Sequence, residues 1–358
     1  AGTESFDVER LLKERPELTQ HKSVVLDLAY EEFLRKAETG KQVDVASFTS
    51  RFPQWESSLL RLLHVHDFLD TSAIDVAPQW PLVGEEFIGF QLREELGRGA
   101  FSRVYLAREH GVGERSVVLK VCANVHSDAD TLGRLRHPNI VEVYSVSHDD
   151  ANGWTAICMP YLGRATLYDV LESAFGQQDE YPQQGIVLHE ATEQANQSDD
   201  EIAPTRHNYP YADMAYVDAI LEIAIQIAGA LTYVHRRKIF HCDIKPTNVL
   251  LTATGEARLF DFNLAYAGDQ PPDRVGGTLA YMAPELLRPF VEGQIEGNVQ
   301  VDARTDIVSF GVMLYELLPG RLPFRLLQDV DRRHAARFLL DSQVKPPAPI
   351  SKFNPGVS

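Results

Sequence analysis

A chain of 358 residues, 44% of them hydrophobic and 24% charged, is long enough for two or three domains or subdomains, each with its own core. The formal net charge of −17 argues against nucleic acid or an anionic membrane surface as the main partner. The cysteines, Cys122, Cys158 and Cys242, are odd in number and form no C-x-x-C pair, which favours a cytoplasmic location over a disulfide-built secreted domain.

Residues 1–75 predict a small helical region. An apolar stripe from Val24 to Phe33 indicates one helix, and two shorter apolar patterns predict further helices before residue 70. Because the first thirty residues are rich in Glu, Lys and Arg, no signal peptide is expected. Residues 76–86, which contain two prolines, predict a linker.

Residues 87–162 change to alternating, β-rich sequence, which predicts an antiparallel sheet followed by a hinge. Within them the run from Gly97 to Ser102 forms a turn in which glycines let the backbone lie close over phosphates. Alone, this motif is equally typical of a plain hairpin. A later strand ends in Lys120, and although such a lysine is usually only solvated, its distance from the turn suits phosphate contact.

Residues 163–358 predict a helical region. The apolar stretch 217–234 carries Asp218, Glu222 and Gln226 at four-residue intervals, which predicts an amphipathic helix of a soluble protein and no membrane span. Residues of about 174–212 are rich in polar side chains with little periodicity, and they predict a mobile surface insertion. The final residues resemble the start of another helix, so a truncation of the C-terminal helices is expected.

The octapeptide His-Cys-Asp-Ile-Lys-Pro-Thr-Asn at 241–248 has the chemistry of a phosphoryl-transfer site. Asp243 can orient an attacking hydroxyl, and Lys245 can neutralise charge on the transferred phosphate. Asn248, five residues past the aspartate, can supply an amide oxygen to a metal ion.

Three further motifs follow in order: Asp261-Phe-Asn, a segment from Gly277 that ends in Ala-Pro-Glu285, and Thr-Asp306-Ile-Val-Ser-Phe-Gly. Together with the glycine turn, the strand lysine and the octapeptide, their order resembles a bacterial eukaryotic-like (Hanks-type) serine/threonine protein kinase with an N-terminal helical extension. The resemblance covers about two thirds of the chain and implies an α+β fold with two lobes, an antiparallel β lobe (87–162, with the hinge) and a helical lobe (163–358). It also implies ATP and Mg²⁺ as cofactors and Ser/Thr-containing proteins as substrates.

The resemblance assigns roles to individual positions. It implies catalysis by Asp243, Lys245 and Lys120, and metal binding by Asn248 and Asp261. It implies structural or regulatory roles for Asp128, Thr278, Glu285 and Asp306. It implies a nucleotide pocket lined by Leu96, Gly97, Arg98, Gly99, Ala100, Phe101, Ser102, Val104, Val118, Lys120, Met159, Leu162 and Leu250.

Several positions depart from the family pattern. Asp128 stands where kinases carry a Glu, on the helix of the β lobe, that pairs with the strand lysine. Only seven residues separate Asp128 from Lys120, so the sequence predicts that the first part of this helix is missing. A solvent-facing acidic turn is the alternative interpretation. Asn263 replaces the glycine of the Asp-Phe-Gly motif, and Cys242 replaces the arginine that receives a phosphorylated activation loop.

These departures leave two functional alternatives beside an active kinase. One is a pseudokinase that binds nucleotide or acts as a scaffold without transfer. The other places the main function in residues 5–70, which would dock a partner or restrain the kinase lobes. Since residues 264–276 also contain no Ser or Thr, regulation by activation-loop Ser/Thr phosphorylation is not expected.

Overall fold

The computed structural model describes residues 8–15, 45–52, 80–98, 102–111, 115–123, 133–149, 153–176, 181–197, 209–262, 265–267, 277–292, 299–327 and 330–357, with isolated positions 25, 29, 32, 33, 59 and 113. The chain divides into two compact units, Ala1–Pro78 and Gln79–Ser358. The division falls inside the predicted linker. Asp128, Gly99, Ala100, Phe101 and Asn263, for which the sequence predicted roles, lie outside the described residues.

The first unit contains helices α1 (Val8–Glu14) and α2 (Val45–Thr49). Its described apolar side chains form a buried set: Val8, Leu12, Val25, Ala29, Phe33, Phe48, Phe52 and Leu59. The Glu32 carboxylate is also fully buried, and it accepts hydrogen bonds from the Val8 amide at 2.7 Å and from Arg51 at 2.5 Å. Buried carboxylates need such partners, so Glu32 links α1 to the residues that follow α2.

The second unit begins with a six-stranded sheet. Its strands are β1 (Glu86–Phe87), β2 (Phe90–Arg98), β3 (Ser102–Glu109), β4 (Ser116–Ala123), β5 (Ser145–Asp149) and β6 (Trp154–Pro160). They pair antiparallel in the order β1-β2-β3-β4-β6-β5. In β4 every second side chain, Val117, Leu119 and Val121, is buried in the core of this lobe. Side chains alternate between the two faces of a strand, so these three lie on the face that packs into the core. The predicted antiparallel lobe is confirmed.

The helical lobe contains α3 (Leu167–Phe175), α4 (Ile186–Ala195), α5 (Tyr216–His235), α6 (Pro284–Glu292), α7 (Ala303–Leu317) and α8 (Arg332–Ser342). Two short antiparallel pairs lie between α5 and α6: β7 (Ile239–Phe240) with β10 (Tyr266–Ala267), and β8 (Val249–Leu251) with β9 (Ala257–Leu259). These pairs carry the two segments whose motifs predicted catalysis and metal binding. The two-lobed fold class is confirmed.

Helix α5 is long and apolar enough to cross a membrane by length and composition alone. Its buried residues, among them Ile220, Ile223 and Ile227, pack in the main core of the helical lobe. A core helix satisfies the same test as a membrane span, and burial accounts for the apolar character of α5.

The predicted mobile insertion at about 174–212 is wrong over residues 181–197. Helix α4 occupies this segment, and its Leu188 and Ala191 are buried in the main core of the lobe together with Tyr209. The His189 ring stacks on the Tyr209 ring with centroids 4.8 Å apart. The apolar face of α4 is short because the helix has ten residues, and the surrounding Gln, Glu and Asp residues obscured it in the sequence.

Candidate active site

A buried carboxylate organises the loop between β7 and β8. Asp306, in the first turn of α7, is fully buried and accepts hydrogen bonds from the backbone amides of His241 at 2.9 Å and Cys242 at 2.8 Å. Its Oδ2 also lies 2.7 Å from His235 Nε2, at the end of α5. The resemblance implied this bracing role, and the contacts hold the loop to two helices.

Cys242 adopts a left-handed backbone conformation, with φ of 62°. This conformation costs a non-glycine residue about 1–2 kcal/mol, which the hydrogen bond from the Cys242 amide to Asp306 helps to offset. Burial raises the pKa of the Cys242 thiol well above its usual value, and the negative charges of Asp306 and Asp243 raise it further. The thiol is therefore neutral near pH 7 and supplies no charge to the site.

The polar residues of the octapeptide converge on Asp243. Its Oδ2 accepts hydrogen bonds from Lys245 Nζ at 2.7 Å and from Asn248 Nδ2 at 2.9 Å. Asn248 Nδ2 also donates to the Asp243 backbone carbonyl at 2.8 Å, and Lys245 Nζ lies 3.3 Å from Thr278 Oγ1. The arrangement joins a carboxylate, an ammonium, an amide and a hydroxyl in one cluster. Asn248 makes both of these hydrogen bonds through Nδ2, and its Oδ1 takes part in neither.

His241 connects this cluster to the strand that precedes Asp261. Its Nδ1 lies 3.3 Å from the Asp243 amide, and its Nε2 lies 3.0 Å from the Phe260 carbonyl. These contacts assign an imidazole that accepts at Nδ1 and donates at Nε2. The ring packs on Phe262 with centroids 4.5 Å apart. No separate role was predicted for His241, although its place at the head of the octapeptide was the available signal.

Lys120 and Asp261 form an ion pair between the two lobes. Lys120 is 6% exposed in β4, and Asp261 adopts a left-handed φ of 65°. Burial by itself would raise the pKa of Asp261, but the Lys120 charge and hydrogen bond outweigh burial, and the pKa is lowered from its ordinary value. Asp261 is therefore ionised at neutral pH, with its carboxylate beside the lysine predicted to bind phosphates.

The predicted pocket residues of the sheet fall in two adjacent cross-strand rows. Gly97 of β2 pairs with Val104 of β3, which in turn pairs with Lys120 of β4. In the next row Val118 pairs with Met159 of β6. Directly paired residues of antiparallel strands project to the same face, so the Val104, Val118, Lys120 and Met159 side chains share the face that carries the Lys120–Asp261 pair.

The remaining pocket residues lie around these rows. Leu96 sits at a register irregularity between Glu95 and Gly97, and Arg98 forms an ion pair with Glu95. Ser102 begins β3 opposite Cys122. Leu162 follows β6, and Leu250 lies in β8 opposite Arg258.

The segment that begins at Gly277 lies directly against Asp243. Gly277 has a φ of +111°, and a Cβ at this position would stand 3.0 Å from Asp243 Oδ1. Arg332 of α8 donates to the Gly277 carbonyl at 2.9 Å, and burial lowers the pKa of Arg332 to about 10. The sequence missed both contacts, because they join residues 34 and 55 positions apart.

Glu285 connects the end of this segment to α7, because its Oε1 accepts a hydrogen bond from Thr305 Oγ1. Thr305 precedes the bracing Asp306. The segment with Thr278 and the loop with Asp243 are thus both fixed to the first turn of the same helix.

Comparison with known proteins agrees with this geometry. Residues 90–352 match the family model for the protein kinase domain. The chain belongs to the protein kinase family. The Aurora kinase of Schizosaccharomyces pombe is 29% identical over 259 residues, which cover 69% of this chain and 58% of that protein. A probable serine/threonine-protein kinase of Streptomyces coelicolor is 32% identical over 253 residues, which cover 66% of this chain and 31% of that protein.

The kinase chain therefore spans less than two thirds of the length of either relative. Among solved structures, the Cydia pomonella granulovirus kinase PK-1 matches with a TM-score of 0.53 at 21% identity, covering 73% of this chain and 81% of that one. This match shows a shared fold.

Proposed function

We propose that this kinase transfers the γ-phosphate of ATP to Ser or Thr side chains of protein substrates. The observation that carries the proposal is the hydrogen-bonded cluster of Asp243, Lys245, Asn248 and Thr278. Thr278 supports protein substrates because it belongs to the segment that the family uses to receive a substrate peptide. The Ser/Thr preference rests on the combination of Lys245 and Thr278, which is the family's Ser/Thr type.

Catalysis by these residues is a matter of positioning and charge. Asp243 accepts a hydrogen bond from the substrate hydroxyl and aligns its oxygen with the γ-phosphorus. Lys245, already within hydrogen-bonding distance of Asp243, stabilises negative charge that develops on the transferred group. Lys120, at the base of the pocket, contacts the phosphates nearer the nucleoside.

The donor set fits magnesium. Asn248 uses its amide nitrogen to bind Asp243, which leaves Oδ1 for a cation, and the Asp261 carboxylate is ionised. Within the described residues no group of three or more His, Cys, Asp or Glu side chains could hold a metal by itself. Magnesium commonly takes one or two protein oxygens, with phosphates and water completing its shell. When bound it neutralises phosphate charge.

The direct test is Asp243→Asn. We expect phosphate transfer to fall at least about a hundredfold, since the aspartate alone aligns the hydroxyl, while nucleotide affinity changes little. The assay is incubation with Mg²⁺, γ-labelled ATP and a generic basic protein, followed by mapping of labelled residues. A fully active Asp243→Asn protein contradicts the role of Asp243, and labelled tyrosine contradicts the Ser/Thr preference.

A pseudokinase is the second candidate, and the Lys120–Asp261 ion pair is the observation that favours it. In this conformation Lys120, which is expected to bind phosphate, and Asp261, which is expected to bind metal, form an ion pair with each other. Against it, Lys120, Asp243, Lys245, Asn248 and Asp261 are all present. Nucleotide binding without transfer by the wild-type protein, under conditions in which a control kinase is active, supports the pseudokinase.

We also propose that activation-loop Ser/Thr phosphorylation does not regulate this kinase. Cys242 is buried and neutral, so it cannot form an ion pair with a phosphorylated residue of the activation loop. Residues 264–276 also contain no Ser or Thr. Phosphosite mapping of active protein tests this proposal. A phosphate within 264–276 that raises activity contradicts it.

The remaining expectations stay proposals of the same kind. The N-terminal helical region docks a partner or restrains the lobes, and comparison of activity with and without residues 1–75 tests this. The kinase is of the bacterial eukaryotic-like type and cytoplasmic, in keeping with free, buried Cys122, Cys158 and Cys242. Cell fractionation tests the location.

A further inference from the structure

A two-pronged ion pair joins β2 to the segment after the hinge. Arg164 Nη1 donates to Glu94 Oε1 at 2.7 Å, and Arg164 Nη2 donates to Glu94 Oε2 at 2.6 Å. Glu94 stands two residues before Leu96, and Arg164 stands two residues after Leu162. The ion pair therefore joins β2, which carries Leu96, to the segment that follows Leu162, and both leucines are predicted to line the nucleotide pocket.

A further hydrogen bond, besides those to Glu94, holds the Arg164 side chain in place. Arg164 Nε donates to the Tyr161 hydroxyl at 3.2 Å, so the guanidinium is held along its length. The hydrogen bond to Glu94 is the main cause that raises the pKa of Arg164, and Arg164 stays charged at every physiological pH. Side-chain exposures of 24% for Arg164 and 48% for Glu94 show that the pair is partly open to solvent.

Helix α4 anchors the Arg164 backbone. Asn196, the C-cap residue that follows α4, accepts a hydrogen bond from the Arg164 amide at 2.9 Å and donates one to the Thr192 carbonyl at 2.9 Å. Gly163 has a φ of +106°, and a Cβ there would stand 3.1 Å from Asn196 Oδ1. Thr192 is buried and bonded to the Leu188 carbonyl at 2.7 Å. The end of α4 is thus fitted to the backbone that carries Arg164.

We propose that Arg164 and Glu94 form a latch that restrains opening of the nucleotide cleft and slows nucleotide release, with Asn196 as the positioning residue. The inference rests on the proposed function for the identity of the ligand. It gives α4 a role beyond packing, since Asn196 at the end of the helix positions the backbone of Arg164. An exposed ion pair ordinarily contributes little, but two parallel bonds from an anchored arginine give more directional restraint.

The first experiment measures release of a fluorescent ATP analogue from the full chain with Mg²⁺ by stopped flow. Arg164→Ala and Glu94→Ala should each raise the release rate about two- to five-fold, the range expected of a partly exposed bidentate pair. The double variant should release no faster than either single variant. High salt should raise the wild-type rate toward that of the variants.

Charge reversal separates the latch from a direct contact between Arg164 and nucleotide. The double variant Glu94→Arg, Arg164→Glu should recover a slow release rate, whereas each single reversal should not. If Arg164→Ala changes release while Glu94→Ala does not, or the reversed pair fails to recover, the latch is wrong. Arg115→Ala is the matched control, since Arg115 binds Glu109 at 2.6 Å within the β lobe and should leave release unchanged.

Asn196 is tested by rescue. Asn196→Ala should raise the release rate, and Asn196→Asp should restore it only in part, because the aspartate retains an oxygen acceptor for the Arg164 amide but loses the donor to the Thr192 carbonyl. In the Arg164→Ala background Asn196→Ala should have no further effect on release. An effect of equal size in that background means that Asn196 acts only through folding, and it overturns the positioning role.

A readout without nucleotide keeps the latch separate from the proposed function. Spin labels at His148→Cys in β5 and Asp341→Cys in α8, both exposed positions, report the distance between lobes. Arg164→Ala should broaden that distance distribution, and an unchanged distribution overturns the latch. If the wild-type protein binds no nucleotide, the proposed function fails while this measurement still decides the latch.

Discussion

At the scale of single residues, the site depends on backbone conformations that side chains normally avoid. Cys242, Asp261 and Gly277 all have positive φ, and each lies beside a functional carboxylate or carries one. Such conformations persist only where the surroundings determine them. Here the determining contacts are Asp306 for Cys242, Lys120 for Asp261, and Arg332 for Gly277, where a side chain would also crowd Asp243.

Gly277→Ala tests the close approach to Asp243. The new Cβ would stand 3.0 Å from Asp243 Oδ1 in a backbone conformation that costs alanine about 1–2 kcal/mol. We expect kcat to fall about tenfold or more, since small misplacement of an aligning group is costly. The control is Gly311→Ala in α7, where a Cβ meets nothing within 4 Å and activity should be unchanged. Equal kcat in the two variants would show that the approach does not matter.

The ionisation of Asp261 gives a pH prediction. The pKa of Asp261 is lowered by Lys120, so the folded protein holds this proton less tightly than the unfolded chain. The ion pair therefore stabilises the fold above the ordinary pKa of about 3.9, and this stability is lost as the pH falls through the lowered value.

Lys120→Met should raise the pKa of Asp261 relative to wild type, because burial is then opposed by fewer positive charges. The loss in unfolding free energy should be largest at neutral pH and shrink below about pH 4. Urea unfolding over a pH series measures both proteins, with the exposed Lys345→Met as control. A stability difference that is the same at pH 7 and pH 3 would contradict the ion-pair assignment.

At the scale of elements, the sequence predicts structure best where a period is long and regular. The four-residue spacing of Asp218, Glu222 and Gln226 predicted α5, and alternation predicted β4. Helix α4 was missed because its burial depends on α3 and α5, which its own ten residues do not record. Contacts such as Arg164 with Asn196 likewise join distant positions, and only the fold brings them together.

Leu188→Ala tests whether α4 is a structural part of the lobe. The side chain is fully buried, so its truncation should lower the unfolding free energy by about 2–5 kcal/mol. Glu190→Ala, on an exposed position of the same helix, should change it by less than about 0.5 kcal/mol. Chemical denaturation measures both. If the two variants are equally stable, the segment behaves as the surface insertion that the sequence predicted.

At the scale of the whole molecule, the chain divides into two compact units, and apolar side chains are buried in each. The β and helical lobes share the second unit, while the first unit has the Phe33–Phe48 ring contact at 5.4 Å and the part-buried Glu32–Arg51 pair. A unit of about 80 residues has a small core and is correspondingly less stable than a larger one. Two thermal transitions are therefore expected, the first from residues 1–78.

Glu32→Ala assigns these transitions. It leaves the buried Val8 amide and the part-buried Arg51 side chain without the Glu32 carboxylate, which costs about 1–3 kcal/mol, so the first transition should move to lower temperature. The second transition should stay in place, because the kinase lobes have their own core. Differential scanning calorimetry measures both, with Lys13→Ala as control, since its pair with Glu9 is exposed and should contribute little. A single transition that shifts as a whole in Glu32→Ala would mean that the two units unfold together.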